Sequence, residues 1–400
     1  MANTPPVTDW TTDYDIFDPG YVRDPVPIWN KLRQECPIAH TDRWGGSWLP
    51  TRYEDMQAFV RMVPELSSKE PLVVPPQELD PESEHAEVAA PPITSDPPTQ
   101  IPIRRMILPF FTPKAVARHR ADTEALCHNL IDQFFDQCSC DGAVQYSQQI
   151  PPRVIANMMG IDASRAGDFV EWVRGVLEIG LTNPEIRLES RGKILGFFSE
   201  MVRERQQNPG DDLISQLIAC ELEGEPVTDT TVIGMCNLLL IAGIDTTWSS
   251  IGAAIWHLAS NPGDRRRLAQ EPELFPTAIE ELLRFYSPVT MARVCQKDID
   301  VGDVTFKEGD RVLMNFPAAN HDPDAFERAD EVVLDRAKNR HIAFGVGIHR
   351  CAGSNLARME MDVALRVWFE RIPEFELSDP DAVTWAGGQV RGPRNMAIRF

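Results

Sequence analysis

The sequence predicts a mainly α-helical protein with small β-sheets. Nearly every window from Pro113 to Ser260 favours a helix, and the breaks between helices are marked by proline and glycine. Within this region a Thr/Asp start at Thr228 and an Asn-Pro-Gly stop after Ser260 predict one helix of about 33 residues, roughly 50 Å long. Short strand-like runs lie on both sides of the helical centre, and these favour small sheets.

The first 66 residues predict a small unit that contains strands. A helical stretch begins near Pro27, and two apolar runs flank Trp44-Gly45-Gly46-Ser47, which is a hairpin signal. Helical spacing returns at Tyr53. Residues 67–98 are rich in proline, glutamate and alanine with little periodicity. Long loops in compact domains are usually functional or mobile, so this segment is predicted to be a lid.

Residues 99–284 form the predicted helix-rich part, and strand-like runs return over residues 285–400. Two of these runs are punctuated by Val301-Gly302-Asp303 and Glu308-Gly309-Asp310, and another closes the chain at residues 396–400. No internal repeat and no linker separates these parts. The expectation is a single domain over residues 1–400.

Composition and charge exclude several classes of function. With 43% hydrophobic and 25% charged residues among 400, the chain has the composition of an ordinary globular protein. Its net charge of −21 disfavours general attraction to nucleic acid or anionic membranes. The eight cysteines are irregularly spaced, which favours a reducing compartment over a disulfide scaffold.

Neither a signal peptide nor a membrane anchor is expected. The N-terminus lacks a basic start followed by an apolar stretch. The longest mostly apolar run, from Val232 to Ile244, is shorter than a bilayer span and contains Asn237. The sequence therefore predicts a cytoplasmic protein.

The most informative stretch runs from Phe344 to Arg358. Cys351 follows a glycine-rich loop and precedes a helical run, so backbone N–H groups at the helix start would lower the pKa of its thiol. Glycines there let the backbone approach a flat, bulky group closely. The stretch resembles the haem-binding signature of cytochromes P450 at every fixed position: Phe344, Gly345, Gly347, His349, Cys351, Gly353, Leu356 and Ala357. A dinucleotide-binding loop is excluded because Arg350 replaces its third glycine.

The predicted long helix carries a second matching motif. Residues 242–247, Ala-Gly-Ile-Asp-Thr-Thr, resemble the oxygen-activation motif of the family. An acid and an alcohol in an apolar helix are costly without partners or a task, and a Thr246 hydroxyl can bond to the carbonyl of Ala242. The resemblance implies that Asp245 and Thr246 deliver protons to dioxygen, whereas the residues alone would also suit a solvent-facing polar cluster.

A third match is structural. Glu281 and Arg284 lie three residues apart, on one face of a helix, and resemble the Glu-x-x-Arg pair of the family. The usual third partner is an arginine before the haem loop, but the aligned position here is Glu331. How the pair is buttressed is therefore left open by the sequence.

The resemblance implies haem b as the cofactor, with Cys351 as the axial ligand of the iron and Phe344 and Gly353 beside the macrocycle. Two propionates need cations or strong donors. The implied donors are Arg104, Arg293 and His349. Gln100 stands where most relatives have histidine, so we expect a weaker contact there.

The implied reaction is the insertion of one oxygen atom into an organic molecule. Thiolate donation from Cys351 favours O–O cleavage. Electrons would come from NAD(P)H through a separate ferredoxin and reductase, because no flavin or iron–sulfur domain is fused to the chain. The alternatives are a peroxide-using haem-thiolate enzyme and a non-catalytic haem-thiolate sensor or carrier.

The resemblance also implies an apolar substrate pocket, and hence a hydrophobic small molecule as substrate. The pocket positions are Leu238, Ile241, Ala242, Val289, Met291 and Ala292. Further contributions are expected from the 67–98 loop and from residues 177–186.

Charge segregation predicts the docking surface of the electron donor. Five basic residues and no acid lie between Pro97 and Ala121, and four basic residues and no acid lie in residues 336–350. An acidic ferredoxin would be steered to such a patch. The predicted contacts are Arg105, Lys114, Lys338 and Arg350, and the protein is expected to be a monomer.

Overall fold

The computed structural model describes residues 5–75 and 88–400. Two clusters of buried residues accompany a large helical core. The predicted lid of residues 67–98 falls partly outside the described residues. Its described parts, on either side of residues 76–87, hold no α-helix and only the last residue of a strand, in agreement with the predicted loop.

The helices occupy mainly the middle of the chain, as predicted. In chain order they are α1 (Pro19–Arg23), α2 (Val26–Glu35), α3 (Tyr53–Phe59), α4 (Gln100–Ile107), α5 (Pro113–Val116), α6 (Arg120–Asp132), α7 (Ile150–Met158), α8 (Ala166–Leu177), α9 (Ile179–Thr182), α10 (Pro184–Gln207), α11 (Leu213–Ile218), α12 (Asp229–Ser260), α13 (Pro262–Gln270), α14 (Phe275–Phe285), α15 (Phe316–Ala319) and α16 (Ser354–Arg371).

The strands are short and lie mostly toward the two ends of the chain. They are β1 (Ile38–Thr41), β2 (Ser47–Pro50), β3 (Leu66–Ser67), β4 (Ser139–Asp141), β5 (Glu221–Leu222), β6 (Glu225–Pro226), β7 (Thr290–Cys295), β8 (Ile299–Val301), β9 (Val304–Phe306), β10 (Arg311–Asn315), β11 (Glu376–Leu377), β12 (Thr384–Ala386), β13 (Gly392–Asn395) and β14 (Ala397–Arg399).

The largest sheet joins strands from distant parts of the sequence. Its order is β1-β2-β10-β7-β3, so the hairpin at Gly45-Gly46 is extended by strands from residues 290–315. Strands β7 and β10 pair antiparallel, with Leu313 opposite Ala292. The mainly helical fold with small sheets that the sequence predicts is confirmed.

The long central helix begins where its sequence predicts. The Thr228 hydroxyl accepts a hydrogen bond from the backbone N–H of Thr231, which satisfies one of the free donors at the helix start. Helix α12 then runs for 32 residues, or about 48 Å. It packs against α7, α8, α10 and α16, so most of its side chains are buried. It therefore forms the axis of the helical core.

Helix α12 is also long and apolar enough to cross a membrane by length and composition, although the sequence reading found no run of that length. The difference arises because a few polar residues interrupt its apolar runs. Within the protein 72% of its most apolar window is buried. Such burial is typical of a core helix, since a lipid-facing helix would present its apolar side chains outward.

Helix α10 begins by the same kind of cap. The Asn183 side chain accepts a hydrogen bond from the backbone N–H of Ile186, and Pro184 occupies the first helical position, where no N–H is required. The cap fixes the residue at which α10 begins, and one face of the helix borders the cavity described next.

Candidate functional site

A cavity of about 500 Å³ lies between α12, the loop that carries Cys351, the two described flanks of residues 76–87, and α10. Its wall is mostly apolar. Of the residues predicted to form the site, those that line it are Leu238, Ile241, Ala242, Thr246, Val289, Met291, Arg104, Arg293, Phe344, His349, Cys351 and Gly353. The structure therefore brings most of the predicted site together around one space.

Two glycines determine the backbone conformation of the loop that carries Cys351. Gly345 and Gly347 have φ values of 65° and 71°, a region that L side chains rarely adopt. The loop closes with a 2.8 Å hydrogen bond from the backbone N–H of Cys351 to the carbonyl of Phe344. Helix α16 starts three residues later, and Cys351 is exposed to the cavity. The sulfur thus faces a space large enough for a flat cofactor.

The prediction that the pKa of the Cys351 thiol is lowered is wrong. Burial raises that pKa and outweighs the opposing effects of the Gly353 backbone N–H and of the nearby guanidinium groups of Arg104, Arg358 and Arg350. The predicted helix-start effect is present, but it is the smaller contribution.

Two arginines reach the cavity near the Cys351 loop. Arg293 is 4% exposed, and burial lowers the pKa of its guanidinium to about 10. Arg293 donates to the carbonyl of Ala292, and no carboxylate of the described residues forms an ion pair with it. Arg104, on α4, donates to the carbonyl of Arg350. Two cations without ion-pair partners in the described protein suit an anionic ligand.

His349 completes this polar group. Its Nε2 lies 2.9 Å from the hydroxyl of Ser68, which also contacts Asp96. Burial, followed by repulsion from Arg293, lowers the pKa of His349 to about 4, so the ring is neutral near pH 7. Its role toward an anion would be that of a hydrogen-bond donor.

Gln100 does not line the cavity. It is 1% exposed, and its side-chain amide donates a 2.9 Å hydrogen bond to the carbonyl of Ile348. This contact is made with the Cys351 loop itself, and the weak contact with a propionate stays a prediction. Gln100 positions the backbone next to His349, because a buried amide must find a partner and this carbonyl is the one within reach.

On α12 the predicted side-chain bond is present. The Thr246 hydroxyl donates to the carbonyl of Ala242 at 2.7 Å, and both residues line the cavity. Gly243 lies between them, where a Cβ atom would approach the Ile155 side chain to 2.7 Å. Glycine at this position therefore lets α7 pack closely against α12 without a shift of the Ile155 side chain.

Asp245 lies outside the cavity wall, so the structure does not bring its carboxylate and the Thr246 hydroxyl into one space. It is fully buried and accepts hydrogen bonds from Arg394 at 2.9 Å and from Ser249 at 3.1 Å. Burial raises the pKa of Asp245, although Arg394 opposes this. Arg394 also pairs with Glu178 at the end of α8, at 2.8 Å. Sequence reasoning gave no sign of this partner from β13.

One pocket prediction is wrong. Ala292 is fully buried in a different cluster, whereas its neighbours Met291 and Arg293 line the cavity. The reason is the alternation of a strand, in which successive side chains point to opposite faces. Residues 291 and 292 both lie in β7, so only one of them can face the cavity.

The Glu281–Arg284 pair has a third partner at an unpredicted position. Both residues are fully buried, 2.8 Å apart. Arg336 donates to the Glu281 carboxylate at 2.8 Å, whereas Glu331 is exposed and pairs with Arg328. The Glu331 backbone carbonyl accepts from Arg284. The third partner of the pair is therefore Arg336, five positions after Glu331, the residue that the sequence comparison aligned with it.

Several residues of the cavity wall were missed. Of the predicted residues 177–186 only Leu177 lines the cavity, and the wall continues at Arg187, Leu188 and Arg191 of α10. Ile155 of α7 and Val390 also line the cavity. The presence of arginine beside apolar residues on α10 was the signal in the sequence that could have indicated this part of the wall.

The donor set fits a haem group. A flat macrocycle fits a cavity that Cys351 and Gly353 both line and whose wall is mostly apolar. Propionates fit the two arginines, which have no carboxylate partner in the described chain. The fold and this site together define the class of haem-thiolate oxygenases.

Comparison with known proteins supports the assignment to this class. The cytochrome P450 family profile matches residues 176–381. Vitamin D(3) 25-hydroxylase of Pseudonocardia autotrophica is 32% identical over 384 residues, covering 93% of this chain and 92% of that protein. Mycinamicin IV hydroxylase/epoxidase of Micromonospora griseorubida is 30% identical over 364 residues, covering 88% of this chain and 89% of that protein.

A solved structure shows the same fold. The Bacillus subtilis 168 bacillaene polyketide synthase cytochrome P450 PksS superposes with a TM-score of 0.86 at 28% identity, covering 96% of this chain and 99% of that one. The chain belongs to the cytochrome P450 family. It is accordingly a monooxygenase, and its cofactor is haem b.

Proposed function

We propose that this monooxygenase inserts one atom of dioxygen into a hydrophobic small molecule, with electrons from NAD(P)H delivered by a ferredoxin and its reductase. The observation that carries the proposal is the continuity of one cavity from Cys351, past the Thr246 hydroxyl, to a mostly apolar wall. This arrangement holds a cofactor, a proton donor and an apolar ligand in contact.

The proposal assigns a role to each group around the cofactor. Cys351 would bind the iron, and Arg104, Arg293 and His349 would bind the propionates, with Phe344 and Gly353 beside the macrocycle. When bound, haem supplies the activation of dioxygen. The protein orients the substrate and keeps bulk water from the reacting atoms.

Thr246 is proposed as the proton-holding group at the cavity. Its hydroxyl is already oriented by the Ala242 carbonyl, so it presents its oxygen to the cavity in a fixed direction. Asp245 would supply protons from behind Thr246. Its Oδ1 accepts hydrogen bonds from Arg394 and Ser249, whereas its Oδ2 is buried without a hydrogen-bond partner among the described residues. Oδ2 is therefore the oxygen proposed to carry the proton, and Arg394 is a positioning residue for proton delivery.

The substrate class follows from the wall. Leu238, Ile241, Ala242, Val289 and Met291 present apolar surface near Thr246. Two of the related proteins are named as hydroxylases of vitamin D(3) and of mycinamicin IV. From the apolar wall, a hydrophobic substrate is proposed for this chain.

The proposed ferredoxin surface is smaller than the charge count suggests. Arg104 faces the cavity, Arg336 binds Glu281, and Arg120 pairs with Asp362 at 2.6 Å. The exposed basic residues that remain are Arg105, Lys114, Arg118, Lys338, Arg340 and Arg350. Two hydrogen bonds support the proximity of α4 and its following turn to the Cys351 loop, Arg104 to Arg350 and Asn355 to Phe111.

The proposal includes a cytoplasmic monomer that binds no nucleic acid and no membrane. All eight cysteines are free, including the exposed Cys138 and the neighbouring Cys140. Free thiols of this number are typical of proteins in a reducing compartment.

Reconstitution tests the proposed reaction. The purified haem protein, a bacterial ferredoxin, a ferredoxin reductase and NADPH are mixed with a panel of hydrophobic compounds under isotopically labelled dioxygen. We expect a product that carries one labelled oxygen atom. Product formed only when hydrogen peroxide replaces the redox proteins would favour the peroxide-using alternative. Tight binding without product under either condition would favour a sensor or carrier.

A further inference from the structure

The charge of the cavity wall is opposite to that of the whole protein. The chain carries a net charge of −21, yet the described wall contains the cations Lys69, Arg104, Arg187, Arg191 and Arg293 and the single carboxylate Glu70. Glu70 is paired with Arg311 at 2.7 Å. Arg104 and Arg293 suit the haem propionates, and of the α10 cations in the wall Arg187 is the one considered next.

Arg187 is the most buried of the α10 cations. It lies in the second turn of α10, is 6% exposed, and lines the cavity. Its Cβ packs closely against Gly180, where an added Cβ would lie 2.7 Å away. Packing against Gly180 therefore fixes the base of the Arg187 side chain.

The guanidinium group of Arg187 is short of partners. Its Nη2 donates one hydrogen bond, to the carbonyl of Pro75 at 3.2 Å, and its Nη1 is buried without a hydrogen-bond partner. None of the described carboxylates forms an ion pair with it. Burial lowers the pKa of Arg187, and the neighbouring Arg311 guanidinium adds to that effect.

Such an arrangement destabilises the free protein. A buried cation loses its hydration, and one neutral carbonyl does not replace it. A role in holding Pro75 alone would not require a charge, because a neutral donor can satisfy a carbonyl. An anionic group that enters the cavity would instead satisfy Nη1 and the charge together.

The surroundings define the rest of the ligand. Val176, Leu177 and Leu239 share the cavity wall with Arg187, and they are apolar. A ligand that satisfies both features has an apolar body and an anion at one end. A carboxylate matches the planar fork of one guanidinium group with two parallel hydrogen bonds.

We propose that Arg187 binds the carboxylate of a hydrophobic carboxylic acid and so selects acids over their esters as substrates. This inference rests on the proposed function, since it names the substrate class of the same cavity. Arg187 is thereby a specificity-determining residue on α10, separate from the groups that face the cofactor.

The experiment compares acids with their methyl esters. The probes are palmitate, cholate and naphthoate, each paired with its methyl ester, and binding to the haem-loaded protein is measured by isothermal titration calorimetry and by the shift of the haem Soret band. For at least one pair we expect the acid to bind at least about tenfold more tightly, equivalent to about 1.4 kcal/mol. In the Arg187→Met variant this preference should disappear.

Two controls separate recognition from structure. Arg203→Met removes the same charge from an exposed position of α10 and should keep the preference, whereas Arg187→Lys should retain part of it. Removal of the uncompensated charge should leave the melting temperature of Arg187→Met unchanged or higher. A lower melting temperature with an unchanged preference for acids would show a purely structural role and overturn the proposal.

The readouts distinguish this inference from the proposed function. If no acid in the panel binds more tightly than its ester, the assignment of Arg187 is wrong, whether or not reconstitution gives a product. If acids bind with the expected preference but no product forms, the recognition site stands and the proposed reaction fails.

Discussion

Cys351 lies in a loop whose shape depends on glycine at two positive φ values, and its sulfur is the one cysteine sulfur that opens into the described cavity. The other seven cysteines do not line this wall. Axial ligation is therefore expected to depend on this residue alone.

Replacement of Cys351 by serine should abolish the red-shifted Soret band of the reduced carbon-monoxide complex, because that band depends on a thiolate ligand. The measurement is a difference spectrum of the reconstituted variant. Cys295→Ser is a suitable control, since Cys295 is buried in β7 away from the cavity and should leave the band unchanged. Persistence of the band in Cys351→Ser would contradict the ligand assignment.

Thr246→Ala should leave haem content and substrate affinity nearly unchanged while lowering the product formed per NAD(P)H consumed. The hydroxyl that holds a proton at the cavity is lost, and general acid catalysis is worth at least about a hundredfold in rate, so reducing equivalents escape as hydrogen peroxide. Product, peroxide and NAD(P)H are measured together. The Thr246→Ser variant keeps the hydroxyl and should keep the ratio; an equal ratio in the alanine variant would remove Thr246 from proton delivery.

At the level of single residues, the sequence predicted the chemical groups of the site well. It did not predict the hydrogen-bond partners of these groups. The motif around Cys351 is local, so its residues could be located from the sequence. The contacts of Asp245 with Arg394 and of Gln100 with Ile348 join residues 149 and 248 positions apart. No local pattern encodes such pairs, because they arise only when the fold brings distant segments together.

At the scale of the elements, the Glu281–Arg284 pair of α14 depends on the loop that contains Arg336. Arg336→Ala should lower the free energy of unfolding by about 3 kcal/mol, because it leaves a fully buried carboxylate with fewer donors. Chemical denaturation of the haem-loaded protein measures the change.

Arg328→Ala is the matched control, since Arg328 pairs with Glu331 at the surface. Exposed ion pairs contribute about 0–1 kcal/mol. Equal effects of the two substitutions would show that Arg336 does not buttress the pair.

Elements with strong local signals were predicted well, and residues whose role depends on register were not. Helix α12 has a cap at Thr228 and a stop after Ser260, so both of its ends could be read from the sequence. Strand β7 is short and lies between other strands, so its phase, and with it the orientation of Ala292, was not accessible. The rotation of α10 that turns Arg187 inward also depends on packing against neighbouring segments.

At the scale of the whole molecule, the separation of charge predicts how the electron donor associates. Reduction by an acidic ferredoxin should slow steeply as the salt concentration rises to the range where the Debye length falls below about 10 Å. Charge reversal at Arg105, Lys114 or Lys338 should slow association because these side chains are exposed. Stopped-flow reduction measures the rate.

Arg203→Glu serves as the control reversal, because Arg203 is exposed on α10 and outside the predicted patch. Substrate affinity should be the same in all four variants. A reduction rate indifferent to salt and to the patch reversals would remove the docking surface from the proposal and leave the haem assignment intact.

The Arg394–Asp245 contact has a consequence for synthesis of the chain. The ribosome adds about 5–20 residues each second, so the 149 residues that separate the partners take roughly 7–30 seconds to appear. During that interval the nascent α12 holds an acidic side chain whose eventual counter-charge has not yet been made. Asp245 is therefore expected to remain protonated or hydrated until Arg394 has been made, and α12 should reach its final packing only after β13 leaves the ribosome.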